Sequence, residues 1–263
     1  MSASLSTISF DIDDGIGRLR LARAAVGNAI DLPMAQELAV VAQRCRIDSS
    51  LRVLVIAGEG AHFCVGGDLR ANAASGRAAA DYTRDITRSL HAALADFAQL
   101  DAVIVTAVHG TVAGAGLGFS LLADLVVATR NARFIAAYTK VSLTPDAGVS
   151  FLLPRAIGTQ RALDLLLTNR PCLAEEAAAI GLVSRLVDDD ALDSATTELT
   201  RSLRAGPAGA FATTRRLVRS EVAAFIAHME QESLRISEQV ASAEGTAGMA
   251  AFLARFSTNK QRQ

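Results

Sequence analysis

Two apolar, β-rich runs, each shut off by glycine, set the frame of this chain: Val53-Leu54-Val55-Ile56-Ala57 before Gly58, and Val103-Ile104-Val105-Thr106-Ala107-Val108 before Gly110. Neither run alternates polar with apolar residues, which is the pattern of a strand covered on both faces. An Ala-rich polar stretch at about 78–97 lies between them and reads as a helix; after the second run another helix leads into Leu125-Val126-Val127-Ala128. The order β-then-α repeats, and an α/β fold is expected.

The N-terminal part adds a hairpin, with alternation over 8–12 and 16–21 around the Asp13-Asp14-Gly15 turn. Residues 31–46 follow as a helix, with apolar positions at helical spacing, Asp31 as N-cap and Pro33 in the first turn. From Asp164 onward the reading is mostly helical, over 162–167, 174–180, 190–205, 209–242 and 248–256, with Gly206-Pro207 as a local breaker. Val222, Phe225, Ile226, Met229 and Leu234 make one apolar stripe, expected to pack on its own domain or on another subunit. No solenoid-type repeat is evident.

Composition narrows the function. The 263 residues are 51% hydrophobic and 20% charged, with a formal net charge of −1, so an anionic ligand must be met by a local site. Nucleic acid is not expected as a partner. Cys45, Cys64 and Cys172 are too few and too scattered for a disulfide framework, which suits a reducing cytoplasm. Charges or glycines interrupt every apolar stretch well before ~18 residues, so neither a membrane span nor a signal peptide is expected.

Two segments carry chemistry. Phe63-Cys64-Val65-Gly66-Gly67-Asp68-Leu69 follows a strand and a loop; its adjacent glycines allow close backbone approach to a ligand, and Asp68 also suits a plain glycine turn with a helix cap. His109-Gly110-Thr111-Val112-Ala113-Gly114-Ala115-Gly116-Leu117-Gly118 joins a buried strand to an apolar helix and presents free amides where that helix starts. A dinucleotide fingerprint fails because its third glycine falls on Phe119, and Gly118-Phe119-Ser120-Leu121-Leu122 is no nucleophile elbow. His62 and His109 lack partners at metal-ligand spacing, so no metal is expected. Two separated glycine bends, each giving one amide about 3 Å from a developing oxyanion, are what stabilising a thioester enolate needs.

On these motifs, together with 23–30, Ala123-Asp124-Leu125, Pro145-Asp146-Ala147-Gly148, Leu153-Pro154-Arg155 and Gly181-Leu182-Val183, the chain resembles the crotonase superfamily of enoyl-CoA hydratases and isomerases over nearly its whole length. The resemblance implies a spiral of ββα turns (1–200) closed by a helical C-terminal trimerisation region (201–263), assembled as a homotrimer or a dimer of trimers. It puts the oxyanion hole at the amides of Gly67 and Ala115. It implies coenzyme A, as part of an acyl-CoA substrate and with no separate cofactor, along 22–25 with Arg23 and Ala25, past Val65, Gly66 and Gly114, its adenine near Asp68 and Leu69.

Where hydratases of the family carry two glutamates, this chain has Gly118 and Tyr138, so plain hydration is doubtful. The family's other arrangement uses an aspartate in a Pro-Asp-x-Gly turn, here Asp146, and resembles the branch that shifts enoyl double bonds or rearranges an epoxide. Asp146 is then the acid/base, with Tyr138 beside it among the catalytic positions, and its pKa should rise among Val149, Phe151 and an acyl chain. The plainer reading of Asp146 is a helix N-cap. Chlorobenzoyl-CoA dehalogenases, also similar, use an aspartate there as nucleophile, with a histidine where His91 falls and an aromatic where Tyr138 falls; His91 reads more simply as a satisfied histidine. The alternatives are therefore a hydratase with weak hydration, a dehalogenase-like enzyme, or an acyl-CoA-binding protein that lost the chemistry. The acyl group is set by the shape of walls from 71–88 and the late helices.

Overall fold

The computed structural model describes residues 5–260; the first four residues, on which the expected absence of a signal peptide partly falls, and the last three lie outside the described residues. The hairpin forms as expected, β1 (Ile8–Asp13) pairing antiparallel with β2 (Ile16–Leu21). Then come α1 (Leu32–Ile47), capped by the Asp31 carboxyl on the Met34 amide at 3.0 Å, and β3 (Val53–Gly58). Next are α2 (Leu69–Ala74), α3 (Ala79–Ala98), β4 (Val103–Val108), β5 (Thr111–Ala113), α4 (Ala115–Leu122), β6 (Leu125–Thr129) and β7 (Arg133–Ile135). The remainder is α5 (Val149–Ile157), α6 (Thr159–Thr168), β8 (Cys172–Leu173), α7 (Ala174–Ala179), β9 (Arg185–Val187), α8 (Leu192–Ala205), α9 (Ala208–Val218), α10 (Val222–Ala241) and α11 (Ala243–Lys260).

The strands make a six-stranded sheet, β1-β2-β3-β4-β6-β9, parallel from β2 onward, and a three-stranded sheet, β5-β7-β8. The unbroken apolar runs are explained by cover on both faces. Leu54, Ile56 and Ile104 point into the main core with α1 and α3, whereas Val53, Val103 and Val105 pack with Leu199 of α8. Asp124, between α4 and β6, accepts from the Ile104 amide at 2.8 Å and pairs with Arg215 at 2.7 Å and Arg219 at 2.8 Å, tying α9 to the sheet. Among the described residues no helix is long and apolar enough to cross a membrane.

Three expectations need correction. The helix read over 209–242 is two helices, because Arg219 leaves helical geometry (φ −101°, ψ 43°) where its guanidinium reaches Asp124 and the Ala123 carbonyl. Leu234 does not belong to the buried stripe: it is 43% exposed, while Phe225 and Met229 are buried and Val222 and Ile226 pack against the core. The helix after the Pro-Asp turn begins at Val149 with Gly148 as its N-cap, so Asp146 does not cap it.

Candidate active site

The two glycine bends meet. Bridges pair Cys64 with Val112 and Ile30 with Gly67, and the Ala113 amide donates to the Cys64 carbonyl at 2.9 Å. Gly66 and Gly114 both adopt positive φ (99° and 52°), and a Cβ on either would stand 3.3 Å from the α-carbon of the other. Only glycine permits that backbone approach. Beyond it, Gly67 is exposed and Ala115 opens α4, and among the described residues neither amide donates to another protein group. An amide donor survives the change from glycine to alanine at 115.

These bends form one wall of an apolar cavity of about 130 Å³ that is also lined by Leu69, Ile86, Tyr138, Leu143, Asp146 and Ile236. Asp146 is 7% exposed. Its side chain takes a hydrogen bond from the Tyr138 hydroxyl, 2.7 Å from Asp146 Oδ1. Burial pushes the Asp146 pKa up to about 7; the Tyr138 hydrogen bond opposes the rise, and the charge of Glu232 adds to it. The Tyr138 hydroxyl is driven upward by its own burial and by Asp146, so it stays a donor.

The turn bearing Asp146 is strained and held from behind. Ala147 lies at φ 55° and Gly148 at φ 76°. An alanine in the left-handed region persists only where its surroundings over-determine it. Here the Ala147 amide donates to His91 Nε2 at 3.1 Å, and the Gly148 amide to Glu232 Oε2 at 2.7 Å. His91 is the satisfied, buried histidine expected, and burial lowers its pKa to about 4, leaving a neutral acceptor. Glu232 escaped the sequence reading. The available signal was its place on the buried face of α10, between Met229 and Ile236.

Of the remaining singled-out residues, Val65, Gly66, Asp68, Leu69 and Gly114 line the cavity, and Arg23 and Ala25 do not. The Val65 amide donates to the Gly27 carbonyl at 3.0 Å, which lays the segment around Arg23 and Ala25 beside Val65 and Gly66. Ala25 is exposed. Arg23 is engaged inward, pairing with Asp31 at 3.0 Å and Asp68 at 3.1 Å. Asp68 caps α2 through the Arg70 and Ala71 amides at 3.1 and 3.0 Å. Both side chains are thus tied to neighbouring groups of the protein, Asp68 at the cavity wall. Leu69 lines the cavity.

Such a chain, an α/β spiral whose two main-chain bends open onto an apolar cavity beside a buried carboxyl, has the crotonase architecture. An enoyl-CoA hydratase from Mycobacterium avium subsp. paratuberculosis superposes with a TM-score of 0.87 at 26% identity, covering 96% of this chain and 97% of that one. Residues 11–261 match the enoyl-CoA hydratase/isomerase family, and the chain belongs to that family of enzymes acting on CoA thioesters. Its relatives carry different reaction names. It is 35% identical over 209 residues to a probable enoyl-CoA hydratase of Rhodobacter capsulatus (80% of this chain, 79% of that one). It is 34% identical over 202 residues to 4-chlorobenzoyl coenzyme A dehalogenase-2 of an Arthrobacter species (76% and 73%). It is 33% identical over 197 residues to the 1,2-epoxyphenylacetyl-CoA isomerase of Escherichia coli (74% and 75%).

Proposed function

We propose that this enzyme is an isomerase of enoyl-CoA or epoxy-acyl-CoA thioesters, in which Asp146 moves the proton and the amides of Gly67 and Ala115 hold the thioester oxygen. The observation that carries the reading is Asp146 itself, a buried carboxyl in the cavity beside both bends with a pKa near 7; Asp68, the other carboxyl of the lining, is engaged by Arg23 and the Arg70 and Ala71 amides. A base of that strength is about half ionised at neutrality and works equally well as acid. Asp146 takes a proton from the carbon next to the thioester carbonyl, and the electrons move onto the carbonyl oxygen, where the two amides stabilise the enolate. The same carboxyl returns the proton two carbons further on, and the double bond moves into conjugation. Coenzyme A lies along 22–25 and 65–69, entering as part of the substrate.

The geometry weighs against the family's other reactions. Hydration calls for a second carboxylate over the double bond, but a Cβ on Gly118 would lie 2.4 Å from the Ala147 carbonyl oxygen, and Glu232 is engaged by Gly148 and Ser150. Nucleophilic attack calls for a fully ionised, unencumbered aspartate, whereas burial raises the Asp146 pKa and Tyr138 binds one of its oxygens. The test is to supply a 3-enoyl-CoA and follow the absorbance of the conjugated 2-enoyl product. Turnover that falls sharply in Asp146→Asn supports the reading, and equal rates in the two proteins remove Asp146 from it. Binding of acyl-CoA without turnover of any isomerisable substrate would leave the non-catalytic alternative.

A further inference from the structure

A carboxylate at the middle of a packed helix is costly unless donors meet it. Glu232 is 5% exposed, and all three of its donors come from the segment just after Asp146. They are the Gly148 amide at 2.7 Å, the Ser150 amide at 3.0 Å and the Ser150 hydroxyl. Burial raises the Glu232 pKa and the three donors oppose that rise; three donors and no acceptor suit the ionised form. Ser150 Oγ also lies 2.8 Å from Nε2 of His228, one turn back on α10 and with a side chain 41% exposed. With the serine hydrogen committed to Glu232, His228 is the donor to Ser150. A line of hydrogen bonds thus runs from the surface through His228, Ser150 and Glu232 to the strained turn.

We propose that Glu232 is a positioning residue for the reaction: from a helix remote in sequence it fixes the Asp146 turn and sets a negative charge behind the Asp146 carboxyl. The inference rests on the reading that Asp146 is the acid/base. Glu232 does not line the cavity, so it acts through Gly148 and Ser150 and not on substrate. The groups that face this pair can be named element by element. Tyr138 donates to Asp146 from the loop after β7, and His91 from α3 accepts from the neighbouring Ala147 amide as a neutral ring. His228 stands 3.8 Å from Glu232, and Arg155 of α5 helps to depress the His228 pKa, after burial. Within this set the charge of Glu232 alone presses the Asp146 pKa upward beyond what burial does.

The charge and the bonds are separable from mere packing by titrating Asp146 directly. The full chain is labelled with aspartate carrying 13C at the carboxyl carbon, and the Asp146 resonance is identified by its loss in Asp146→Asn. In Glu232→Gln, which keeps the side chain's size, the titration midpoint is expected to fall from near 7 by roughly one pH unit, since a like charge has been removed. An unmoved midpoint overturns the proposal. Should Glu232→Gln fail to fold, Ser150→Ala decides. Removing one donor leaves Glu232 less ionised, and the midpoint shifts the same way by less; no shift again overturns the role. Turnover of 3-enoyl-CoA, measured alongside, separates the two claims. A shifted midpoint without any isomerisation sinks the reaction and leaves the Glu232 role, whereas an unmoved midpoint with wild-type turnover sinks Glu232 alone. Where both hold, kcat drops about tenfold in Glu232→Gln with KM nearly unchanged, because a misaligned acid/base slows chemistry more than binding.

Discussion

Gly118 packs against the turn that carries Asp146: a Cβ on Gly118 would lie 2.4 Å from the Ala147 carbonyl oxygen and 2.9 Å from the Ala147 Cβ. The volume a first glutamate would occupy is therefore already filled by backbone. Gly118→Ala should destabilise the protein by about 1–3 kcal/mol, read as a lowered midpoint of thermal or urea unfolding, despite alanine's better helix propensity. Gly118→Glu should do more damage and still give no hydration of a 2-enoyl-CoA. A stable Gly118→Glu protein that hydrates would show that the turn yields.

Asp146→Asn should separate chemistry from stability. Turnover of 3-enoyl-CoA should fall by about 10²–10⁴, the usual contribution of a general acid/base. Stability should move the other way at alkaline pH. The folded-state pKa of about 7 lies above the ordinary value of 3.8, so stability linked to this group is full below the lower value and is lost as pH rises through the higher one. Asparagine carries no charge to bury, and its advantage over the wild type should be near zero at pH 4 and reach on the order of 2–4 kcal/mol by pH 8. Denaturant unfolding at the two pH values checks this.

Tyr138→Phe removes the bond that holds the Asp146 pKa down. The ascending limb of the kcat/KM pH profile should move upward by about one unit, and the rate at neutral pH should fall severalfold because less of the base is ionised. A profile that stays in place would mean that the Tyr138 hydroxyl does not act on Asp146 in solution.

Much of this was legible in the residues, and the gaps have physical reasons. The long elements declared themselves because their faces are buried in register: Val53–Gly58 and Val103–Val108 as unbroken apolar runs, α1 through Asp31 and its apolar spacing. The short strands β5, β7, β8 and β9 span two or three residues each, too few for any period to show. The meeting of the two bends was expected from the two glycine-rich segments together with the family resemblance, and the close approach of Gly66 and Gly114 explains why glycines stand there. The break between α9 and α10 depends on Arg219 reaching Asp124, a contact 95 residues away in sequence that no local pattern encodes. Glu232 was hidden for the same reason: its donors lie 82 and 84 residues earlier. In sequence it is one more charge on a helix.

Whether the Gly67 and Ala115 amides polarise one thioester carbonyl is read by deleting one of those donors. Ala115 is the first residue of α4, where proline is tolerated because its missing N–H has no helical partner. The measurement is the infrared C=O stretch of a bound acyl-CoA labelled with 13C at the thioester carbonyl, in the wild type and in Ala115→Pro. The expected stretch is lowered from its value in water in the wild type and largely restored in Ala115→Pro, with turnover down about 10²–10³ and unfolding little changed. A carbonyl equally unpolarised in both proteins, or an Ala115→Pro enzyme as fast as the wild type, would contradict that polarisation.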